Sequence, residues 1–426
     1  MSQIIESLLT PPTSVEELDI SQGIAIDIIL RLLFSEGDTT ASRIEEVTRL
    51  PFKVLDEIIM HLQQEHLIEV PRTTGSLGRR SYMYSITDEG KARARDAMER
   101  SQYIGPLPVP LEKYNKAIML QARRDKVQPE RVKEALSHLI LPADFHRQIG
   151  PALNTGTSLF LYGPPGNGKT TIAQAIAMLV AGSDPIWLPY AITVGGQIIQ
   201  LYDQVIHRMV RDENGSQAKV DSRWRPYHRP VVIAGGELKL DSLDLRFDQV
   251  AKFYEAPLQM KANGGMFLID DFGRQQMRPT DLLNRWIVPL ETQVDYFRLQ
   301  TGLTIQMPFK QLIVFSTNLD PEQLVDDAFL RRIQVKVEVS SPDEKMFYRI
   351  FDTMCRQLRV PFDKDSFVYL LQEWYHKQGR IMQSVHPRDI LKGVVALCDY
   401  EGISKRMTPS LVDEACRGYF VKPQKQ

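Results

Sequence analysis

The sequence predicts an α/β fold, with a mostly parallel sheet flanked by helices, a small α+β domain before it and a helical region after it. Short apolar strands alternate with helical segments from about residue 126 to 338, which is typical of a parallel sheet. Before this stretch, residues 21–100 show three helical patterns, two strand-like runs and a closing helix. After it, residues 342–420 show helical periodicity alone. Together these three observations define the predicted fold class.

The composition is that of an ordinary globular protein without an overall charge bias. A chain of 426 residues with 43% hydrophobic and 25% charged residues suggests two or three domains. The net charge of −1 predicts no global attraction to nucleic acid or membranes. Cys355, Cys398 and Cys416 are odd in number and widely spaced, which favours buried thiols over disulfides or a zinc site. No apolar run approaches the ~18 residues of a membrane helix, so we expect a cytoplasmic protein.

The first hundred residues are predicted to form a short leading segment and a compact domain. Residues 1–20 suggest a short helix and a turn, and residues 21–100 form the domain. Thr39 or Thr40 is placed to cap its second helix, and Pro51 opens the third. The stretch Ile86–Ala94 is similar to the end of the wing in bacterial regulators of the MarR and PadR kind. The domain therefore resembles a winged helix-turn-helix.

The rest of the chain divides into a linker, an α/β domain and a helical end. Three prolines at alternate positions from Pro106 to Pro110 predict a semi-rigid linker over residues 101–125. The α/β domain spans 126–338, and a helical lid with the C-terminal tail spans 339–426. The strands predicted for the sheet are Ser158–Tyr162, Ile186–Leu188, Gly265–Ile269 and Leu312–Ser316.

A phosphate-binding loop is predicted directly after the first of these strands. Residues 163–170 fit the pattern G-x-x-x-x-G-K-[ST], and a helix starting near Thr171 follows. Its glycines let backbone N–H groups turn toward a phosphate, and the helix N-terminus adds a positive dipole end. Lys169 is expected to contact the β- and γ-phosphates of ATP, and Thr170 to bind Mg²⁺. The predicted nucleotide-binding residues are Gly163, Pro164, Pro165, Gly166, Asn167, Gly168, Lys169, Thr170 and Thr171.

Two acids end a second buried strand. Asp270 and Asp271 follow the apolar run Met266–Ile269, at the carboxyl end where ligands bind in such sheets. Asp270 is expected to bind Mg²⁺ through water. Asp271 stands where ATPases with motifs that resemble these usually have a Glu that polarises the attacking water, and the resemblance implies the same role for it. For Asp271, a supporting or capping role is the alternative.

These motifs resemble the AAA+ ATPases over roughly residues 126–410. The resemblance implies that Asn318, at the end of the strand 312–316, holds the attacking water or the γ-phosphate. It implies that Arg388, in the run His386–Asp389, reaches the phosphates from a helical lid. It also implies a trans-acting arginine finger, either Arg331 or Arg332. The alternatives are purely structural roles, in which Asn318 lies in a turn at the strand end and the arginines form surface ion pairs.

The residues before the acidic pair narrow the resemblance. Gln259–Gly265 is similar to the corresponding segment of MoxR-type ATPases, magnesium chelatases and bacterial enhancer-binding activators. Extra residues at about 195–257 include Pro230–Gly236 and Leu238–Leu245, which we expect to form a hairpin insertion or a packing excursion. Leu139–Pro142 is a candidate adenine contact or simple core. Candidate pore or partner contacts are Phe247, Phe253 and Tyr254.

Charge does not settle whether the winged-helix-like domain binds DNA. Residues 21–100 hold 11 Lys or Arg and 13 Asp or Glu, a net of −2, whereas DNA-binding modules usually carry a basic face. The third helix, from Pro51 to His66, is acidic on its outer side. Arg72, Arg79 and Arg80 of the wing are the candidate DNA contacts, and a protein-docking surface or local salt bridges are the alternative.

The sequence thus predicts an ATP- and Mg²⁺-dependent ATPase that remodels a protein partner. The finger must come from a neighbour, so a homo-oligomer, most often a hexameric ring, is implied. One alternative is a DNA-bound regulator located by the winged helix. Another is an assembly switch that hydrolyses ATP slowly, because Asp271 stands where the family usually has the longer Glu.

Overall fold

The computed structural model describes residues 3–73, 78–122, 126–210, 220–324 and 327–420. The sequence also predicts a turn from Thr73 to Gly78, and residues 74–77 of it lie outside the described ranges. The chain forms two compact units, each assembled from separate stretches. Unit 1 comprises residues 1–126, 180–268 and 275–313, and unit 2 comprises residues 127–179, 269–274 and 314–426.

Helices occur along the whole described chain. The α-helices are α1 Gln3–Leu8, α2 Gln22–Glu36, α3 Ala41–Thr48, α4 Phe52–Gln64, α5 Asp88–Arg100, α6 Leu111–Gln121, α7 Pro129–Ala135, α8 Phe145–Thr155, α9 Lys169–Ala181, α10 Leu258–Lys261, α11 Pro279–Thr292, α12 Pro321–Leu324, α13 Asp327–Leu330, α14 Glu344–Leu358, α15 Lys364–Leu370, α16 His386–Glu401 and α17 Pro409–Tyr419. Short 3₁₀ turns lie at Glu16–Leu18, Gly78–Ser81 and Leu240–Leu243, and a π-helical turn follows α15 at Leu371–His376.

Strands form one five-stranded parallel sheet, a second five-stranded mixed sheet and smaller sheets. They are β1 Thr39–Thr40, β2 Ile68–Thr73, β3 Tyr82–Ile86, β4 Val109–Pro110, β5 Ser158–Tyr162, β6 Ile186–Pro189, β7 Ala191–Val194, β8 Gln197–Gln200, β9 Trp224–Tyr227, β10 Val231–Ala234, β11 Arg246–Phe247, β12 Tyr254–Glu255, β13 Met266–Ile269, β14 Val294–Arg298, β15 Thr304–Pro308, β16 Leu312–Ser316 and β17 Val335–Glu338.

The parallel sheet confirms the predicted fold class and corrects its strand list. Its order is β10-β13-β16-β5-β17, and β17 pairs parallel with β5. The run at 231–234, which we predicted in a hairpin insertion, is instead the edge strand of this sheet. Strand β6, which we predicted in the sheet, pairs antiparallel with β9. Both errors have one physical cause. An apolar run predicts that a strand is buried, but the strand it pairs with is determined by residues far away in the sequence.

In unit 1, residues 21–100 form helices and strands in the predicted order. Buried residues of α2, α3 and α4 pack into one hydrophobic cluster, which also includes Tyr84 of β3. The Thr40 hydroxyl accepts a hydrogen bond from the Arg43 backbone N–H and caps α3, as the sequence suggested. The Thr87 hydroxyl accepts from the Gly90 N–H and caps α5 in the same way. Local capping chemistry therefore sets these helix starts.

The stretch predicted as a linker is structured instead. Residues 109–110 form β4, which pairs parallel with β7 at the edge of the sheet β11-β12-β8-β7-β4. Helix α6 follows, with Tyr114 and Ile118 fully buried in a second hydrophobic cluster of unit 1. The alternating prolines end before α6 begins, and its apolar side chains supply enough burial to order the chain.

The aromatic residues predicted as pore or partner contacts pack inside unit 1. Tyr254 is 1% exposed, and its ring meets Phe247 edge-on at 5.0 Å. Phe253 packs against Tyr103 at 5.6 Å. Burial rules out Tyr254 as an exposed contact, whereas Phe247 and Phe253 are only partly buried and stay candidates.

In unit 2, the C-terminal helices share one apolar core. Buried residues of α14, α15, α16 and α17 form a single cluster that includes all three cysteines. Burial raises the pKa of Cys355 and of Cys416 to about 12, which keeps both as thiols. Among the described residues of the whole chain, none of the helices combines the length and apolar character needed to cross a bilayer.

Candidate active site

The phosphate-binding loop lies between β5 and α9 of unit 2. Gly163 has φ +132°, and a Cβ there would lie 2.5 Å from the Val339 carbonyl oxygen. Gly168 has φ +85°, a conformation that suits glycine. The loop therefore needs glycine at both positions, for close backbone approach at the first and for backbone conformation at the second.

Lys169 begins the helix that follows the loop. Its ammonium donates hydrogen bonds to the carbonyls of Gly163 and Pro164, each at 2.8 Å, and the residue is 5% exposed. Burial lowers the pKa of Lys169, and the charges of Asp271 and Asp270 oppose that shift. The ammonium is thus held by neutral carbonyls of the loop, and it forms no direct ion pair with the residues that the structure describes.

The two acids leave β13 beside the loop. The Thr170 hydroxyl donates to the Asp270 carboxylate at 3.2 Å. Asp271 has φ +50°, in the left-handed region, and its carboxylate accepts a hydrogen bond from the Asn318 amide at 3.3 Å. The structure therefore brings Thr170 to Asp270, and Asn318 to Asp271.

A cavity of about 390 Å³ connects these groups, within the size range of small-molecule sites. All of its lining residues belong to unit 2. The lining residues are His138, Leu139, Ile140, Leu141, Gly166, Asn167, Gly168, Lys169, Thr170, Thr171, Ile172, Asp271, Ser316, Asn318, Ile350, Thr353, Met354, Ser384, Val385 and Arg388.

The helical end contributes more to the cavity than the sequence suggested. Ile350, Thr353 and Met354 of α14 line it, although only Arg388 was predicted from this region. No motif singled these residues out, because an apolar helix face looks alike whether it packs on protein or on a ligand.

The loop also bonds directly to the helical end. The Asn167 carbonyl accepts from the Ser384 backbone N–H at 3.1 Å, and its amide donates to the Ser341 hydroxyl at 3.2 Å. The Gly166 carbonyl accepts from the Val385 N–H at 2.9 Å. Asn167 is 4% exposed, so both halves of its amide are used inside the protein.

The candidate finger residues behave differently from Arg388. Neither Arg331 nor Arg332 is among the described residues that line the cavity. Arg331 is exposed, and the Arg332 carbonyl accepts from the Ser158 hydroxyl at 3.4 Å. The finger segment that the sequence predicts spans Asp326–Ile333, and its first residue lies outside the described residues.

The oxygen atoms at the loop fit a magnesium ion. Mg²⁺ prefers hard oxygen ligands and usually takes few from the protein, with substrate phosphates and water completing its shell. Thr170 and Asp270 offer such a pair. Among the described residues, no group of three or more His, Cys, Asp or Glu side chains forms a dedicated metal cage. This chemistry matches an ion that binds together with a nucleotide.

The wing arginines belong to unit 1, and Arg79 and Arg80 form their ion pairs with residues of that unit. Arg79 Nε is 2.9 Å from the Asp56 carboxylate of α4. Arg80 is 3.6 Å from the Glu45 carboxylate of α3, and its guanidinium lies 4.6 Å from the centre of the Phe52 ring. Arg72 is exposed on β2. Two of the three candidate DNA contacts therefore form local ion pairs.

Comparisons with known proteins match different parts of the chain. A family described as a domain of unknown function (DUF8689) matches residues 343–418, the helical end. The chain is 24% identical over 258 residues to a probable 26S proteasome regulatory subunit 6B from Caenorhabditis elegans, covering 60% of this chain and 48% of that protein. It is 24% identical over 219 residues to an AAA ATPase forming ring-shaped complexes from Corynebacterium jeikeium, covering 51% and 33%. The chain thus spans about half or less of these curated relatives.

Among solved structures, the RuvB Holliday junction branch migration motor of Thermotoga maritima is similar with a TM-score of 0.36 and 16% identity, over 70% of this chain and 73% of that chain. A TM-score of this size does not establish a shared fold, so the fold assignment rests on the sheet order and the phosphate loop. The chain is thus similar over about half of its length to an AAA ATPase, and it carries a phosphate-binding loop after a strand of its parallel sheet.

Proposed function

We propose that this protein uses ATP hydrolysis to remodel a protein partner in the cytoplasm. The observation that supports this most is the cavity of unit 2. It gathers a lysine held by carbonyls, an acid bonded to an asparagine, and an arginine from the helical end. Such a set can bind a triphosphate, orient water and respond to loss of the γ-phosphate.

In this proposal each residue has one task. The Lys169 ammonium stabilises the β- and γ-phosphate oxygens, as its carbonyl-bonded position favours. The Asp271 carboxylate accepts the proton of the attacking water, which the Asn318 amide orients. Thr170 and Asp270 would hold Mg²⁺, which supplies charge neutralisation at the phosphates when bound. Arg388 contacts the γ-phosphate from the helical end.

We further propose a homo-oligomeric ring, with a hexamer as the expected size. Arg331 and Arg332 are outside the lining of their own chain's cavity, which suits a finger supplied to a neighbour. The name of the relative from C. jeikeium, which forms ring-shaped complexes, supports the same assembly. Either arginine can serve, and single substitutions would separate them.

A protein partner is favoured over DNA by the contacts of the wing. The residues 21–100 have the element order of a winged helix, and we retain that assignment as a proposal. Phosphate binding by Arg79 and Arg80 would compete with Asp56 and Glu45 on neighbouring helices. In addition, the backbone N–H of Val15 donates to Glu57, so the N-terminal segment lies against the acidic helix α4.

The partner is proposed to bind within the extra residues at about 195–257. This stretch exposes Val205 at 84% and Met209 at 60%, which a protein partner would cover. Such an insertion agrees with the MoxR-like branch, which we include in the proposal. The alternative of a slow ATP-dependent switch is favoured by one feature, the short Asp271 side chain.

Steady-state turnover of Mg-ATP, measured at low salt with and without duplex DNA, tests the choice of partner. We expect a rate that duplex DNA leaves unchanged, in the wild type and in the double variant Arg79→Ala and Arg80→Ala alike. The matched control replaces Arg356 and Arg417, exposed lid arginines that also form ion pairs. DNA stimulation that disappears only in the wing variant would instead establish the DNA-bound regulator.

A further inference from the structure

Arg388 is part of a hydrogen-bonded chain that ends on the last helix. Its Nε donates to one carboxylate oxygen of Asp389 at 2.7 Å. The Tyr419 hydroxyl donates to the other oxygen at 3.3 Å. The Tyr419 ring meets the buried His386 ring edge-on at 5.7 Å, which limits where the phenol can turn. The chain thus runs from the cavity through Asp389 to the end of α17.

The location of this chain on helix α16 is unusual for an ion pair. Consecutive helical residues do not face each other, so Arg388 must fold along the helix surface to reach Asp389. The pair also lies in the first turn, where the helix dipole favours the acid and disfavours the cation. A guanidinium at this position gains from an anion beside it, and Asp389 provides one.

The contact with Asp389 uses one edge of the guanidinium, the one at Nε. Nε is bonded to Asp389, and arginine carries four further N–H groups on its two terminal nitrogens. Arg388 lines the cavity and its side chain is 52% exposed, so these groups can reach a ligand there. Asp389 thus fixes the Nε side of the guanidinium and leaves the two terminal nitrogens to bind a phosphate.

We propose that Asp389 is a positioning residue that aims Arg388 at the γ-phosphate, and that Tyr419 supports it. This inference rests on the proposed function of the cavity and goes beyond it. It assigns to the last helix a direct connection to the phosphate end of the nucleotide. Asp389 itself touches no substrate, so its effect must pass through Arg388.

The test compares binding of two fluorescent nucleotides, mant-ATPγS and mant-ADP, each with Mg²⁺. Asp389→Ala should weaken mant-ATPγS binding about three- to ten-fold, the range expected for losing a half-exposed charge-assisted hydrogen bond. Binding of mant-ADP should stay unchanged, which also shows that the variant folds. Tyr419→Phe should give a smaller loss in the same direction.

A double-mutant cycle separates positioning from a merely structural role. In the Arg388→Ala background, Asp389→Ala should have no further effect on mant-ATPγS, because the group it aims is gone. The matched control is Asp352→Ala, a lid carboxylate of equal exposure that pairs with Arg356.

Three results would overturn the inference. One is an equal loss for both nucleotides, and another is an additive loss in the Arg388→Ala background. The third is tighter mant-ATPγS binding by Asp389→Ala, which would make Asp389 a competitor of the phosphate. If Arg388→Ala alone keeps full discrimination, the proposed role of Arg388 fails as well. If the wild type binds neither nucleotide, the proposed function fails first.

Discussion

The phosphate loop of unit 2 and the wing of unit 1 both present cations, but they neutralise them differently. At the loop, Lys169 is held by two backbone carbonyls, which fix its position and leave it a full positive charge. On the wing, Arg79 and Arg80 lie beside carboxylates of the same domain. Dipoles orient a cation, whereas a carboxylate cancels it. Neutral partners therefore leave a cation available to an anion, whereas an arginine beside a carboxylate is available only where part of its guanidinium faces a cavity, as it does in Arg388.

The largest expected effect comes from the loop. Lys169→Ala should lower Mg-ATP turnover by more than about a hundred-fold, because the cation that stabilises the phosphate charge is lost. Lys336→Ala is the matched control, since its ammonium also donates to a backbone carbonyl, that of Ile333, at 2.9 Å. The comparison breaks if the two variants lose turnover equally.

A smaller loss is expected from Asp271→Asn, about a hundred-fold in turnover with nucleotide affinity retained, because the amide keeps its size but cannot accept the proton. Single-turnover hydrolysis and mant-ATPγS titration measure the two quantities separately. Asp320→Asn serves as control, since Asp320 lies exposed in the same unit and caps a turn. Retained turnover in Asp271→Asn would move the base elsewhere and favour the supporting role.

The smallest effect concerns stability, and it compares the interiors of the two units. Each holds a buried histidine, His207 in unit 1 and His386 in unit 2. Burial lowers the pKa of each ring to about 4. Folding thus favours the neutral ring. The stability of the folded protein that depends on this ring is fully present above pH 6.5 and is lost as pH falls toward 4. Lowering the pH from 7 to 5 should therefore decrease the free energy of unfolding by about 1–2 kcal/mol for each ring.

Urea unfolding at both pH values checks this expectation. His207→Gln and His386→Gln should each lose less stability on acidification than the wild type. His228→Gln, at an exposed position, should behave as the wild type does. An unchanged pH dependence in either buried-site variant would show that this ring charges without cost, and the two interiors would then differ.

Sequence predicted the phosphate site better than it predicted the surrounding chain. Strands β5 and β16 have the predicted bounds, because each is a short apolar run followed by a loop that carries polar groups. The glycine spacing and the acidic pair are local patterns. Each follows a strand of the same parallel sheet, so the loop and the acids lie at the same edge of that sheet. The cavity lining from α14 carries no such local pattern.

Errors in the fold occurred where pairing is decided at long range. The run 231–234 is followed by two glycines, which suits a hairpin as well as the edge strand that it forms. Strand β6 pairs with β9, some 35 residues further along the chain, and no local pattern identifies that partner. Prolines before α6 suggested a linker, although the apolar face of the helix decides its burial.

The left-handed backbone of Asp271 bears on how this site could change over time. With φ +50°, the position suits Asp or Asn, whose short polar side chains tolerate this region best. A longer acid would gain reach toward water but would meet about 1–2 kcal/mol of backbone strain. Exchange of Asp for Glu is therefore not a simple gain by one mutation. An engineer seeking a faster enzyme would first have to reshape the turn, because its left-handed backbone favours the shorter acid.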